Sequence, residues 1–201
     1  MNLKYPLIIA LLSAGLVACG DKDADPQDSE VKDTSSDEIS VTDAELAGNP
    51  FRQEWDTPYG VPPFAVIENA HYMPALKKAV LEQREDIDAI INNPEAPTFE
   101  NTIVALELAG EELGRVARTF FNIVGTELND ELQAIQGPVS GMLSKENSAI
   151  MLNDKLFERV QAVYQQKDNL DLDEQGARLI ELWHRSFIRS GAGLDPEAKT
   201  Q

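Results

Sequence analysis

The side chains in this 201-residue sequence that could do chemistry are few: two histidines, one cysteine and 35 carboxylates set against 17 lysines and arginines. His71 lies in Asn69-Ala-His-Tyr-Met-Pro and His184 in Leu182-Trp-His-Arg. Neither has a second histidine four residues away, the spacing that puts two imidazoles on one helix face for a metal. The pair could still meet in space as ligands, although a histidine that caps a helix, edges a core or faces water is commoner. Carboxylate pairs such as Glu111-Glu112 and Asp173-Glu174 could act as acid and base, but on helices they read first as a wet face. No serine or cysteine stands in a nucleophile signature, and no glycine-rich loop is placed to cradle phosphate. The lone sulfur, Cys19, excludes a disulfide framework and a thiolate zinc cluster. These signals assign no catalytic and no metal-ligating residue.

Cys19 has a positional reading instead. A short polar start with one lysine, Lys4, precedes an apolar run from Leu7 to Ala18. About twelve residues is too short for a bilayer core of about 30 Å, which takes about 20 helical residues. The run ends in Leu16-Val17-Ala18-Cys19, which resembles the lipobox of bacterial lipoproteins. That resemblance implies a signal peptide over residues 1–18, acylation of Cys19 and an anchor of several acyl chains, since one chain alone holds only marginally. Gly20 after the cysteine points, on the same resemblance, to the outer membrane, facing the periplasm.

Residues 19–48 then read as a tether. They hold ten acidic residues, two lysines and no aromatic residue. So much charge with so little to bury cannot offset chain entropy, so the expectation is an extended, disordered linker. The acidic spacing lacks the order and closing glutamate of a calcium loop. The tether carries −8 and the signal +1 of the formal −18, which leaves −11 for residues 49–201. A nucleic-acid binder working by counterion release is excluded by that balance.

From Asn49 the elements that would position any site are helical. Four prolines between Asn49 and Phe64 suggest an extended arm whose aromatics Phe51, Trp55, Tyr59 and Phe64 pack onto something. Met73, Leu76, Val80, Ile87 and Ile90 mark one stripe of a helix of about 20 residues ending near Asn92. Thr98 caps the next, and Phe99, Ile103, Leu106, Gly110, Leu113, Ala117, Phe120 and Val124 recur at steps of three and four. That seam predicts one long helix with Gly110 at a close approach. Glu107, Glu111, Glu112, Arg115 and Arg118 fall off it, as a solvated face should. Asn129 can cap a helix bearing Leu132, Ile135, Val139 and Met142, in which Gly137-Pro138 should kink or break the run. Asn153 caps the next, with Leu156, Val160 and Val163 inward, and Asp171 with Glu174 resembles a capping box for a helix carrying Leu172, Leu179, Trp183 and Phe187. No stretch alternates as a strand does, so the fold class is all-α. Asp195-Pro196-Glu197 reads as a helix start with four residues after it, too few for a stable helix; the expectation is that the natural protein continues.

The stretches NPF (Asn49 to Phe51), His71-Tyr-Met-Pro-Ala, NNPEAPTFENTIVALE (Asn92 to Glu107), GRVARTFFN (Gly114 to Asn122), NDELQAIQ (Asn129 to Gln136), LNDKLFERVQAVYQQ (Leu152 to Gln166) and FIRSGAGL (Phe187 to Leu194) together carry a family likeness. Over about 150 residues the chain resembles the N-terminal region of the peptidyl-dipeptidase branch of the thimet oligopeptidase family, which are zinc metallopeptidases. The resemblance implies that residues 49–201 are a helical cap walling a channel for short peptide substrates. It also implies a zinc cofactor held by the two histidines of an HExxH helix and a later glutamate, in a C-terminal catalytic domain. Residues 1–201 contain no HExxH. No catalytic or metal residue carries over, and the chain alone is expected to be inactive. The other expectation from the same residues is a stand-alone helical lipoprotein that binds peptides or partners without hydrolysis.

Overall fold

A computed structural model describes residues 39–194. The signal, the anchor cysteine Cys19, most of the tether and the Asp195-Pro196-Glu197 helix start lie outside the described residues. Residues 39–48, read from sequence as the end of the tether, are described and form the turn α1 (Asp43–Leu46). Thr42 and Glu45 close a capping box there, and Ile39 packs on the core, so local capping overrides the charge-based expectation.

The other helices are α2 (Asn69–Ile91), α3 (Ala105–Leu108), α4 (Glu111–Thr126), α5 (Asp130–Met151), α6 (Asp154–Gln165) and α7 (Glu174–Arg189), with a π turn at Phe99–Val104. No strand occurs among the described residues, so the region is all-α. Three caps form as their residue types dictate: Thr98, Asn129 and Asn153 each accept a hydrogen bond from the backbone N–H three residues on. The cap of α7 is Asp173 rather than Asp171, because its carboxylate reaches the N–H of Gly176.

The long seam is the main departure. Its apolar residues divide between two clusters, Phe99, Ile103 and Leu106 in one and Leu113, Ala117, Phe120 and Val124 in the other, and the backbone breaks between α3 and α4, where Gly110 sits at φ +78°. Only glycine takes that conformation without steric cost. Gly110 is also a close approach, since a Cβ there would collide with the Gln83 amide. α5, in contrast, runs unbroken through Pro138. The proline removes one backbone bond, to Ala134, and both residues lie on an exposed face where water can take the freed carbonyl.

Two apolar clusters share α2 as a common spine. Its first half packs Tyr72, Leu76 and Val80 against Phe51, Val116, Phe120, Leu132 and Val139. The second half packs Ile87 and Ile90 against Ile103, Leu156, Val160, Ile180 and Phe187. Each such side chain contributes about 1.5–3 kcal/mol on burial. Between the clusters a buried carboxylate, Glu146 of α5, accepts from Arg84 Nε at 2.8 Å and Nη2 at 2.5 Å, tying α5 to α2. In the arm, Phe51 is fully buried and Trp55 packs beside it, with ring centroids 5.8 Å apart. Tyr59 and Phe64 do not pack as expected: Tyr59 projects wholly into solvent from a left-handed residue (φ 61°), and Phe64 is exposed.

Candidate functional site

Both histidines have structural work in the fold. His71 Nδ1 accepts the backbone N–H of Glu68 at 2.9 Å, a capping contact at the start of α2. Its carbonyl accepts from Asn49 Nδ2 at 2.9 Å, so the same residue pins the arm. His184 lies flat on Tyr164, with ring centroids 3.8 Å apart and planes 4° from parallel, and Phe157 stands 6.0 Å away. Burial lowers its pKa below the ordinary 6.5, favouring a neutral ring. Beside it, Trp183 donates its indole N–H to Glu107 at 2.9 Å. Burial raises the pKa of Glu107, partly opposed by that hydrogen bond.

The carboxylate pairs separate in the same way. Glu112 accepts from Arg115 Nη2 at 2.7 Å while its neighbour Glu111 is exposed. Asp173 is spent as a helix cap and Glu174 faces solvent in the first turn. Among the described residues no group of three or more histidine, cysteine, aspartate or glutamate side chains stands close enough to hold a metal. The two histidines serve different ends of the core, so the donor set does not fit a zinc ion and no zinc-dependent step is assigned to these residues.

What the fold does build is a cleft that motif reading missed. On α4, Arg115, Arg118, Thr119 and Asn122 follow the helical repeat and form one face. The arm overhangs that face with Trp55 and Phe64, enclosing an open cleft of about 610 Å³. Arg115 is fixed at its floor: Nη2 donates to the Phe51 carbonyl at 2.5 Å, and the guanidinium lies 4.5 Å over the Trp55 ring. The off-seam spacing of Arg115 and Arg118 was visible in sequence; the roof, contributed from some sixty residues earlier, was not. A second arginine, Arg159 of α6, clamps the loop before the π turn by donating to the carbonyls of Asn93 (3.1 Å) and Glu95 (3.3 Å) and to Asn101 Oδ1 (3.1 Å).

The helices of this region are capped and packed, and both histidines are engaged in structural contacts. The region is homologous to part of the dipeptidyl carboxypeptidases and, more distantly, of oligopeptidase A. The chain is 40% identical to dipeptidyl carboxypeptidase of Salmonella typhimurium over 156 residues, covering 78% of this chain and 23% of that protein. It is 42% identical to dipeptidyl carboxypeptidase of Escherichia coli over 146 residues, 73% of this chain and 21% of the relative. Oligopeptidase A of Escherichia coli is 24% identical over 145 residues, 72% of this chain and 21% of its own length. The chain thus spans less than a quarter of these relatives. No family model matches it.

Proposed function

We propose that this chain is the N-terminal part of a zinc-dependent peptidyl-dipeptidase that hydrolyses short peptides and releases C-terminal dipeptides, its helices walling the substrate channel. The observation that carries the reading is the 40–42% identity to two dipeptidyl carboxypeptidases across most of the helical region, against 24% to an oligopeptidase A. Zinc, in this reading, is bound by residues outside the 201, where it would activate water for attack on the peptide bond. The helices here shape access to that centre and supply none of its ligands.

The direct test is hydrolysis of an N-blocked tripeptide by a longer protein that carries this region. Release of the C-terminal dipeptide, abolished by a chelator and restored by zinc, is expected. The 201 residues alone should neither hold stoichiometric zinc nor cleave the peptide; chelator-sensitive cleavage by them would overturn the assignment of the zinc ligands to another segment.

The envelope location belongs to the same proposal. Acylated Cys19 would hold the protein at the cell envelope, at the outer membrane facing the periplasm, with the acidic segment spacing it from the lipid. Among the described residues no helix is long and apolar enough to cross a membrane. Cys19→Ser should release the protein from the membrane fraction or leave its signal uncleaved, and unchanged retention with normal processing would remove the anchor.

A further inference from the structure

The cleft between the arm and α4 has two chemically different walls. The arm presents Trp55 and Phe64, the latter 43% exposed despite its size. The helix presents two guanidinium groups within a chain of formal charge −18. Arg115 is anchored by the Phe51 carbonyl and by Glu112, and its Nε is buried without a hydrogen-bond partner. Arg118, one turn along, makes no ion pair among the described residues. The side-chain amide of Asn122 is likewise unpartnered among the described residues, one further turn along the same face. At about 610 Å³ the cleft falls in the range of small-ligand sites.

We propose that this cleft binds the carboxylate of a short peptide, with the neighbouring apolar side chain laid against Trp55 and Phe64. The proposal deepens the peptide-processing reading above and rests on it. A guanidinium presents paired donors that match the two oxygens of a carboxylate. Aromatic surface beside the cations favours an anion attached to an apolar body over a bare inorganic one. The chain as a whole is acidic, so an anionic ligand is disfavoured over much of it, and this face sets the guanidinium of Arg118 beside an apolar wall. The carboxylate can come from the peptide's own terminus or from a glutamate or aspartate side chain.

The test uses the 201 residues labelled with 5-fluorotryptophan. Their two tryptophans give two fluorine resonances, one from Trp55 in the cleft and one from Trp183 in the other cluster. The chain is titrated with acetyl-Ala-Leu-Phe as free acid, with the same peptide as its C-terminal amide, and with acetyl-Glu-Leu-Phe amide. The expected result is a saturable shift of the Trp55 resonance alone, at least one carboxylate-bearing peptide binding about tenfold more tightly than the uncharged amide. Preference for the free acid identifies the terminal carboxylate as the ligand, and preference for the glutamyl amide identifies the side chain. Arg118→Gln should remove that preference, so that all three peptides bind with similar, weak affinity. Arg118 is exposed, so an unmoved Trp183 resonance certifies the fold of the variant. Phe64→Ala should weaken all three peptides together. The proposal is overturned if neither carboxylate improves on the uncharged amide, if Arg118→Gln leaves the preference intact, or if Trp55 never responds. Hydrolysis by the longer protein is a separate readout: persisting cleavage with a silent Trp55 defeats the cleft alone, whereas a responsive Trp55 without cleavage defeats the peptidase reading alone.

Discussion

Trp183 and Glu107 join α7 to α3 through one hydrogen bond, and the environment of that carboxylate makes stability depend on pH in a defined direction. Burial raises the pKa of Glu107 above 4.5 and the indole N–H pulls it partly back. The folded protein therefore holds this proton to higher pH than the unfolded chain does. The stabilisation is fully present below 4.5 and is lost as pH rises through the raised folded value. Glu107→Gln keeps an acceptor for Trp183 while removing the charge. Urea midpoints should match the parent at pH 4 and exceed it at pH 7; a midpoint lowered at pH 7 would show that the ionised carboxylate is favoured in the fold. A second residue pair behaves differently. Glu146 is 5% exposed and depends on Arg84 for both charge and hydrogen bonds. Arg84→Ala strands that carboxylate and should cost about 2–3 kcal/mol, below the cost for a wholly buried pair because Arg84 itself is partly solvated. Replacing both partners, Arg84→Met with Glu146→Leu, should recover most of the loss in the same urea melts, since the apolar pair leaves nothing unsatisfied.

Helix boundaries in this chain turn on a handful of local choices, and those were readable unequally. Thr98, Asn129 and Asn153 could be assigned as caps because a cap is a short-range contract between one side chain and the N–H three residues on. The break at Gly110 was hidden because the apolar steps of three and four continue through it: periodicity records where side chains point, not whether the backbone is continuous. Pro138 misled in the opposite direction, since its cost depends on whether water reaches the carbonyl it frees. The cleft was half legible, the arginine face from α4 spacing and the aromatic roof not at all, because no local pattern says where an arm folds back. The same logic gives a paired prediction. Gly110→Ala should destabilise by about 1–2 kcal/mol through its left-handed backbone, with the Gln83 amide also forced to move. Gly137→Ala, inside α5 with open space around the added methyl, should stabilise by about 0.5–1 kcal/mol. Thermal melts of the two variants moving in the same direction would contradict the backbone assignment at one of them.

Across the whole described region, the two apolar clusters are held in register by α2, with the Arg84–Glu146 pair near the midpoint of that helix. A continuous 23-residue helix that contributes to both cores cannot lose one core without unsatisfying half its length. The clusters should therefore unfold as one cooperative unit, and the chain carries its own reporters for this: Trp55 packs on the first cluster and Trp183 on the second. Phe120 is wholly buried in the first, in edge contact with Tyr72 at 5.3 Å. Phe120→Ala should cost about 3–5 kcal/mol by leaving a cavity. If α2 couples the clusters, the urea midpoints seen at Trp55 and Trp183 shift down together and remain coincident, as a single transition requires. If only the Trp55 midpoint falls, the second cluster stands without the first, and α2 is a shared strut between two independent cores rather than the spine of one. The reciprocal variant, Val160→Ala in the second cluster, distinguishes coupling from a merely weaker first core, because under coupling it too moves both probes by equal amounts.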